Sequence, residues 1–381
     1  MYLQNGDKTT CFGCKACGDR CPVHAIRYEF DEEGAWYPVI DSGKCISCGK
    51  CADICPKGKQ PRAAKCEIYG GWHRESALRD KSSSGGIFFE LAKAVLVQGG
   101  AVVGAAFDEA FAVHHVVIDR IDQLPLLQRS KYVQSDTEGV FLEVQKLLKQ
   151  GRTVLFSGTP CQVAAMRAFC PEESLPLILV EVNCFGVPSP VVYRAYLNYL
   201  QQHRGTTISG INFKDKRYGW DYYTTEIAFS NGKTECVFGG DSYKQFMHRG
   251  FSLRAACFHC DYPLTKRFAD ISLGDFYHYQ NYMTAEAPKN GVSCVIVRSQ
   301  KGSELLRLVQ KDLVLYPVDA DRFFKKESVG KAKTVPHDRA QFYHLLNQNG
   351  YGCCLSLLPK KSLPYRIKRW LRSLRKRWFY K

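Results

Sequence analysis

Apolar residues along the chain follow two different periods. Gly86 to Val97, Glu138 to Lys149 and Gln162 to Phe169 place them at helical spacing, whereas Ala101 to Phe107 and Thr153 to Phe156 are short, nearly continuous runs suited to buried strands. The alternation predicts an α/β layer structure. Later segments, Thr224 to Phe229, Lys233 to Phe238, Ile271 to Leu273 and Val292 to Arg298, are β-rich with turn residues between them. The expected class is therefore α+β, a mixed α/β chain whose second half departs from a doubly wound sheet. His114-His115 belongs most simply to a strand.

The first 60 or so residues lack such a pattern, yet they hold eight of the 18 cysteines in a chain of 381 residues. Cys11-x2-Cys14-x2-Cys17-x3-Cys21-Pro22 recurs as Cys45-x2-Cys48-x2-Cys51-x3-Cys55-Pro56, the bacterial two-cluster ferredoxin pattern. Three closely spaced thiolates wrap one cubane and the fourth reaches the other. The expected ligand sets for two 4Fe-4S clusters are Cys11, Cys14, Cys17 with Cys55, and Cys45, Cys48, Cys51 with Cys21. Zinc is disfavoured because zinc ribbons use paired C-x2-C knuckles. Metal coordination supplies much of the folding free energy of so small a unit. The polar stretch Lys57-Gly-Lys-Gln-Pro-Arg-Ala-Ala then reads as a linker. Three units follow: a 1–65 two-cluster domain, a 66–358 mixed α/β domain and a 359–381 tail.

Composition narrows the setting. Met1-Tyr-Leu-Gln-Asn-Gly-Asp has no basic region before an apolar run, so no secretory signal is read, and a cytoplasmic location with reduced cysteines is expected. Lys93, Gln98 and Gly99-Gly100 interrupt the most apolar stretch, Leu91 to Phe107, which falls short of the ~20 residues of a membrane span. The formal charge is +16, but Lys360 to Lys381 carries ten basic and no acidic residues. On a helix, Ile367, Trp370, Leu371, Leu374 and Trp378 form one apolar stripe with basic residues on the other faces. This predicts a C-terminal amphipathic helix on an anionic membrane surface, at the inner face of the cell membrane. Nucleic acid or an acidic protein is the alternative partner, less favoured because the aromatics share the apolar face.

Four more cysteines stand in suggestive contexts: Cys161 in Phe156-Ser-Gly-Thr-Pro-Cys-Gln, Cys184 in Asn183-Cys-Phe-Gly, and the knuckle Cys257-x2-Cys260. A third cluster, zinc and a reactive dithiol all remain open on this pattern. Cys161 is expected just inside a helix opened by Pro160, where the free N–H groups favour thiolate. Cys66, Cys170, Cys236, Cys294, Cys353 and Cys354 show no ligand spacing and read as small buried hydrophobes.

Ser82-Ser83-Ser84-Gly85-Gly86 precedes a helix, so it offers either a cradle for an anion or a plain serine N-cap. Ser157-Gly158-Thr159-Pro160 is a second small-residue turn where a strand gives way to a helix, the usual place for a ligand in α/β proteins. Lys131 is a candidate partner for a phosphate or flavin carbonyl, its plain alternative being a solvated lysine. Clusters pass single electrons and most organic reductions need pairs, which suggests a flavin. No G-x-G-x-x-G opens a βαβ unit, so a Rossmann nicotinamide site is disfavoured.

Together the tandem motif, Ser83-Ser-Gly-Gly, Ser130-Lys-Tyr-Val, Phe156-Ser-Gly-Thr-Pro-Cys-Gln-Val-Ala, Cys184-Phe-Gly-Val-Pro-Ser-Pro, Phe213-Lys-Asp-Lys-Arg-Tyr-Gly-Trp, the knuckle and Ala269-Asp-Ile-Ser-Leu-Gly-Asp-Phe resemble the coenzyme F420 hydrogenase/dehydrogenase beta-subunit family over roughly residues 8 to 300. The resemblance implies an iron–sulfur flavoprotein. It implies FAD contacts from Ser84, Gly85, Gly86, Lys131, Gly158, Thr159 and Asp275, and a third cluster on Cys161, Cys184, Cys257 and Cys260. Asp270 and Gly274 would lie near the cofactors, with an ordinary turn role as alternative. Lys214, Lys216, Arg217 and Trp220 would face the acceptor or, alternatively, form a charged surface hairpin. No His or Tyr stands out as a general acid.

The expected function is an oxidoreductase that takes electrons from a ferredoxin-type donor through the clusters to FAD and on to an organic acceptor. Coenzyme F420 and a polysaccharide-pathway intermediate are the candidate acceptors. The alternative is a non-catalytic subunit relaying electrons to a partner enzyme.

Overall fold

The computed structural model describes residues 1–61, 65–222, 224–237, 241–326 and 333–359. The expected tail helix falls on residues 360–381, outside the described residues. Near the N-terminus, strands β1 (Ile26–Phe30) and β2 (Trp36–Ile40) form an antiparallel hairpin flanked by the one-turn helices Ala16–Asp19 and Lys50–Asp53.

The larger part runs β3 (Glu67–His73), α1 (Ile87–Val97), β4 (Ala101–Phe107), β5 (Val113–Ile118), α2 (Val140–Lys149), β6 (Val154–Gly158), α3 (Pro160–Phe169) and β7 (Leu177–Val182). It continues with α4 (Pro190–Arg204), β8 (Ile208–Asp215), β9 (Thr224–Phe229), β10 (Thr234–Val237) and α5 (Ser242–His248). Then come β11 (Ile271–Asp275), β12 (Ser293–Val297), α6 (Gln300–Val309), β13 (Leu313–Val318) and α7 (Arg339–Asn349).

Eight strands form one sheet in the order β13-β3-β12-β11-β7-β6-β4-β5, with β4, β6, β7 and β11 parallel. Alternate residues of these strands face opposite cores. Val102, Leu155, Val180 and Ile271 pack with Leu91 and Val95 of α1 and Leu305 and Leu306 of α6. Val103, Val154, Phe156 and Leu179 pack with Phe141 and Val144 of α2 and Val163 and Met166 of α3. Burial on both faces is why these strands read as continuous apolar runs.

The β-rich second half is divided between two sheets: the segments at 271–273 and 292–298 are β11 and β12 of the main sheet. After β7 the chain leaves the sheet, makes α4, the separate β8–β10 sheet and α5, and then returns. Aromatic residues fill that excursion: Tyr193 and Tyr196 of α4, Phe213, Tyr243 and Phe246 share one core, which Phe342 of α7 joins. The excursion fixes where the later site residues fall.

The N-terminal module is bonded to the larger part at several points. Ala16 and Ile54 join the α2–α3 core. Arg339, 7% exposed, pairs with Glu33 at 2.5 Å and also donates to the carbonyls of Gly250, Phe251 and Leu253. Ser189 donates to the carbonyl of Gly34, whose Cβ, were there one, would lie 2.3 Å from Val191. Buried Lys15 pairs with Asp136 and Glu138.

His115 does lie in a strand, β5, but its setting is distinctive. Its Nδ1 takes the Ser135 hydroxyl at 2.7 Å, its Nε2–H donates to the Ser157 carbonyl at 3.0 Å, and its ring stacks on Phe156. Burial lowers its pKa to about 4, whereas an unfolded imidazole takes a proton near ~6.5. The unfolded chain therefore binds the extra proton first as pH falls, and stability drops between those two values. Denaturant unfolding under anaerobic conditions should show wild type losing about 1.4 kcal/mol more than His115→Gln between pH 7.5 and pH 5.5; equal losses would remove His115 from the acid sensitivity.

Candidate redox centres

The first repeat is wound around Trp36 and the Ala16–Asp19 turn. Cys11, Cys14, Cys17 and Cys55 lie within electrostatic range of one another, as the ligand pattern requires. Burial first, and the neighbouring thiols after it, push Cys14 well above its usual pKa and Cys17 up to about 12. All four border one cavity, with Phe12, Ala16, Pro38 and Pro56. Thiols crowded together without water are poor as free acids and well suited to a metal, which takes the place of their protons.

Cys45, Cys48 and Cys51 form a second group, with Cys51 raised by burial and then by the other two. Cys51 also borders the first cavity, so the two groups adjoin. Cys48 is exposed. Cys21 accepts the Ala25 N–H at 3.2 Å and lines an open groove with Arg20, His24 and Lys50.

A third group joins three separate elements. Cys161 stands in the first turn of α3, Cys184 follows β7, and Cys257 and Cys260 lie on and after the short helix Ala255–His259. Burial, followed by mutual repulsion, raises Cys161 and brings Cys184 up to about 12. Burial thus opposes the thiolate expected of Cys161 at a helix start while the thiol is metal-free. Among the described residues, no three His, Cys, Asp or Glu side chains close on the point that a lone metal ion would occupy. The donor set is all sulfur, which suits an iron–sulfur cluster.

The knuckle is also the contact between modules. Tyr262 donates to the Pro56 carbonyl at 2.6 Å, Lys57 pairs with Asp261, and the rings of Phe12 and Tyr262 lie 5.6 Å apart. Tyr262 is within electrostatic range of Cys161, Cys14 and Cys55 at once. The third thiol group therefore sits against the first.

The remaining candidates gather at the carboxyl end of the parallel strands. Ser293 pairs with Asp275 on one side and Gly71 on the other, and its hydroxyl accepts the Gly85 N–H at 2.9 Å. Ser84 donates to the Val292 carbonyl, and Ser83 bonds Ser130, next to Lys131. Gly85 has no room for a side chain, since a Cβ would fall 2.5 Å from the Gly71 carbonyl. The serines do not cap α1: Gly86, at φ 88°, is the N-cap, and no side chain satisfies the first turn. Gly158 ends β6, and Thr159 caps α3 while touching the Cys161 sulfur at 3.2 Å. Asp275 Oδ1 and Asn183 Oδ1 are buried at this edge without a hydrogen-bond partner among the described residues. Such orphaned acceptors call for a donor, from water or from a ligand.

Other residues are placed differently from expectation. Lys131 turns its ammonium onto the carbonyls of Leu126 and Gln128. Asp270 stands at the opposite end of the sheet, accepting the Leu179 N–H and the Ser299 hydroxyl, a structural role. Gly274 is required because a Cβ would strike Asn183. The stretch 213–220 is no surface hairpin: Lys214 is 2% exposed, bonded to Asp275 and Tyr277, and Trp220 stacks on Tyr277. Lys216 clamps the carbonyls of Arg79, Ser84 and Asn290. Only Arg217 is exposed, paired with Asp215 and Glu226. Of the six remaining cysteines, Cys170, Cys294 and Cys354 are buried, whereas Cys353 is exposed.

The residue most clearly missed is Arg254. Its Nε donates to the Cys11 carbonyl at 2.7 Å, its Nη1 to Gln134, and its Nη2 to the Trp36 carbonyl at 2.8 Å and the Cys11 sulfur at 3.4 Å. A lone arginine distant in sequence carries no local signal. Gly13 holds the other half of the contact.

Known proteins agree with this organisation. A 4Fe-4S dicluster domain model matches residues 10–59, and the C-terminal family model of the coenzyme F420 hydrogenase/dehydrogenase beta subunit matches residues 151–321. The coenzyme F420-dependent sulfite reductase of Methanocaldococcus jannaschii is 22% identical over 311 residues, 71% of this chain and 47% of that protein. Putative ferredoxin-3 of Sinorhizobium fredii is 31% identical over 88 residues, 18% of this chain and 84% of that protein. The ferredoxin-type protein NapF of Haemophilus influenzae matches over 43 residues at 37% identity, 11% of this chain and 24% of that protein. Thus the chain spans about a quarter of NapF and about half of the sulfite reductase. Among solved structures, a chain of the F420-reducing NiFe hydrogenase complex from Methanosarcina barkeri aligns with a TM-score of 0.47 and 17% identity, over 70% of this chain and 89% of that one.

The fold and thiol groups define an iron–sulfur electron-transfer protein of the oxidoreductase type. Residues 151–321 match the C-terminal part of the coenzyme F420 hydrogenase/dehydrogenase beta subunit, and a 4Fe-4S dicluster domain lies ahead of that part at residues 10–59.

Gly13, at φ 67°, has no space for a Cβ, which would meet Gln134 at 2.4 Å and Arg254 at 2.7 Å. Gly13→Ala should therefore lose about four irons, those of one cubane, from anaerobically prepared protein, whereas Ser47→Ala at the equivalent place in the second repeat should keep them. Full iron in both would show that the contact is dispensable.

Proposed function

We propose that this chain is an iron–sulfur flavoprotein oxidoreductase, passing electrons from a ferredoxin-type donor through 4Fe-4S clusters to FAD and on to an organic acceptor. The observation that carries the reading is the docking of the Cys257–Tyr262 knuckle on the Cys55–Pro56 turn, which puts the third thiol group between the first and the sheet edge. Clusters supply single-electron transfer, and a flavin supplies the conversion to electron pairs.

In this reading the ligand sets are Cys11, Cys14, Cys17 with Cys55; Cys45, Cys48, Cys51 with Cys21; and Cys161, Cys184, Cys257 with Cys260. Exposed Cys48 puts the second set nearest solvent and a docking donor. Ser84, Gly85, Gly86, Gly158, Thr159 and Asp275 belong to the FAD site, and Lys131 would join it by releasing the carbonyls of Leu126 and Gln128. The uncapped α1 start offers N–H groups to an anion, and the orphaned acceptors of Asp275 and Asn183 await donors. Lys216 keeps the serine–glycine loop in place, and Lys214 holds Asp275 against the Trp220–Tyr277 stack, an aromatic wall fit for a planar acceptor. Coenzyme F420 and a polysaccharide-pathway intermediate are the acceptors to try first.

A relay subunit is the second reading, favoured by the chain's matching only 47% of the sulfite reductase. Turnover by the isolated chain separates the two, since a relay reduces artificial acceptors alone.

Iron, acid-labile sulfide and released flavin should be counted on anaerobically purified protein. About twelve irons, at four per cubane, with one FAD are expected; about eight irons without flavin would reduce the chain to a ferredoxin-like relay. Lys216→Met, which strands three carbonyls beside the loop, should lose most of the flavin and keep the iron. Retained flavin would exclude the loop from its site.

No described helix is long and apolar enough to cross a membrane. The basic segment 360–381 is proposed to hold the chain peripherally on the inner membrane face. Sedimentation with anionic vesicles should be lost when the chain is cut after Pro359, and salt-resistant binding by the cut chain would refute this role.

A further inference from the structure

The two cysteine repeats are alike in sequence and unlike in surroundings. Arg254 is 2% exposed, and its partners are the carbonyls of Cys11 and Trp36, the Gln134 amide oxygen, the Cys11 sulfur and the Tyr37 ring at 4.3 Å. None of these is a carboxylate. Three other buried cations each have a carboxylate: Lys15 has Asp136 and Glu138, Arg339 has Glu33, and Arg267 has Glu181. A buried guanidinium without a counter-charge is costly, and the one group in its contact set that metal binding makes anionic is Cys11.

The second repeat has no equivalent. Ser47 replaces Gly13 in the x2 gap, at φ 52°, and among the described residues the sulfurs of Cys45 and Cys21 accept only the main-chain N–H groups of Ser47 and Ala25. Gly13, by lacking a Cβ, is what admits Arg254 and Gln134 to the first repeat.

We propose that Arg254 sets the reduction potential of the first cluster, raising it above the value that burial alone would impose. The inference rests on the reading that Cys11, Cys14, Cys17 and Cys55 hold a 4Fe-4S cluster. Adding an electron makes that anionic centre more negative, which a dry environment opposes and a fixed cation with an N–H···S contact favours. The deeper of the two N-terminal centres thereby stays reducible by its exposed neighbour. Arg254 also lies within electrostatic range of Cys257, whose thiol burial raises and its charge opposes, so that charge is felt on the side facing the third group. It is a positioning and tuning residue, with no contact to substrate.

Redox titration followed by electron paramagnetic resonance, on the anaerobic full-length chain with iron counted in parallel, tests this. In Arg254→Gln one cluster component should move to lower potential, its reduced-to-oxidised ratio falling about tenfold at the wild-type midpoint, ~59 mV for a one-electron couple. Arg254→Lys, which keeps the charge, should move less. Gln134→Glu, which gives the guanidinium a carboxylate, should shift the same component downward while leaving Arg254 in place. Full iron with every component unmoved in Arg254→Gln overturns the proposal. If that variant fails to load the first cluster, Gln134→Glu decides: a downward shift supports the assignment, and full iron without one overturns it. Wild-type protein that binds no iron would fail the cluster reading itself and this proposal with it.

Discussion

Crowding thiols together away from water keeps them protonated unless a metal replaces those protons, and the molecule does this in two places, the first repeat and the group of Cys161, Cys184, Cys257 and Cys260. Cys14, Cys161 and Cys184 are driven upward in pKa by burial before any other influence. Metal coordination turns this same burial into a driving force, because binding free energy becomes folding free energy. Among its described residues the N-terminal module has one hairpin, three single turns of α-helix and one 3-10 turn, so its order depends on what the sulfurs hold and on the larger domain against which it is set.

That larger domain contributes more than support. Its polar groups reach into the first repeat: Thr137 donates to the Cys14 carbonyl, Gln134 to those of Phe12 and Gly13, and Arg254 to that of Cys11. Main-chain oxygens exposed by the tight cysteine loop, which has too few residues to satisfy them internally, thus find donors across the interface. The knuckle at 257–262 repeats the arrangement from the other side, with Tyr262 on Pro56. Electron-transfer centres and domain interface coincide, so a change in one is felt in the other.

The carboxyl edge of the sheet gathers a second set of constraints. Gly85 approaches Gly71 and Ser293 too closely for any side chain, and Gly274 makes room for Asn183. These glycines let the serine loop and the strand ends meet, while Lys214 and Lys216, sent across from β8, hold Asp275 and the loop from above. Polar atoms left without partners at this edge, on Asp275 and Asn183, contrast with the fully bonded Asp270 at the other end.

The sequence by itself determined what depends on neighbours in the chain: the helix and strand segments with clear period, the helix start after Gly86, the strand-to-helix turn at Pro160, and the tandem cysteine motif whose spacing is set by the geometry of one cluster. It named the four scattered cysteines through their contexts, and the structure brings them together. Only the tertiary structure decided which sheet β11 and β12 enter, since a strand's period says nothing of its partner. It alone buried Lys214 in what read equally well as a charged hairpin, and moved Asp270 away from Asp275, five residues distant but at the far end of one strand. Arg254 lay beyond sequence reasoning for the same reason. Its meaning comes from the absence of a carboxylate beside it and the absence of a Cβ on Gly13, and both are properties of space shared by residues some 240 apart in the chain.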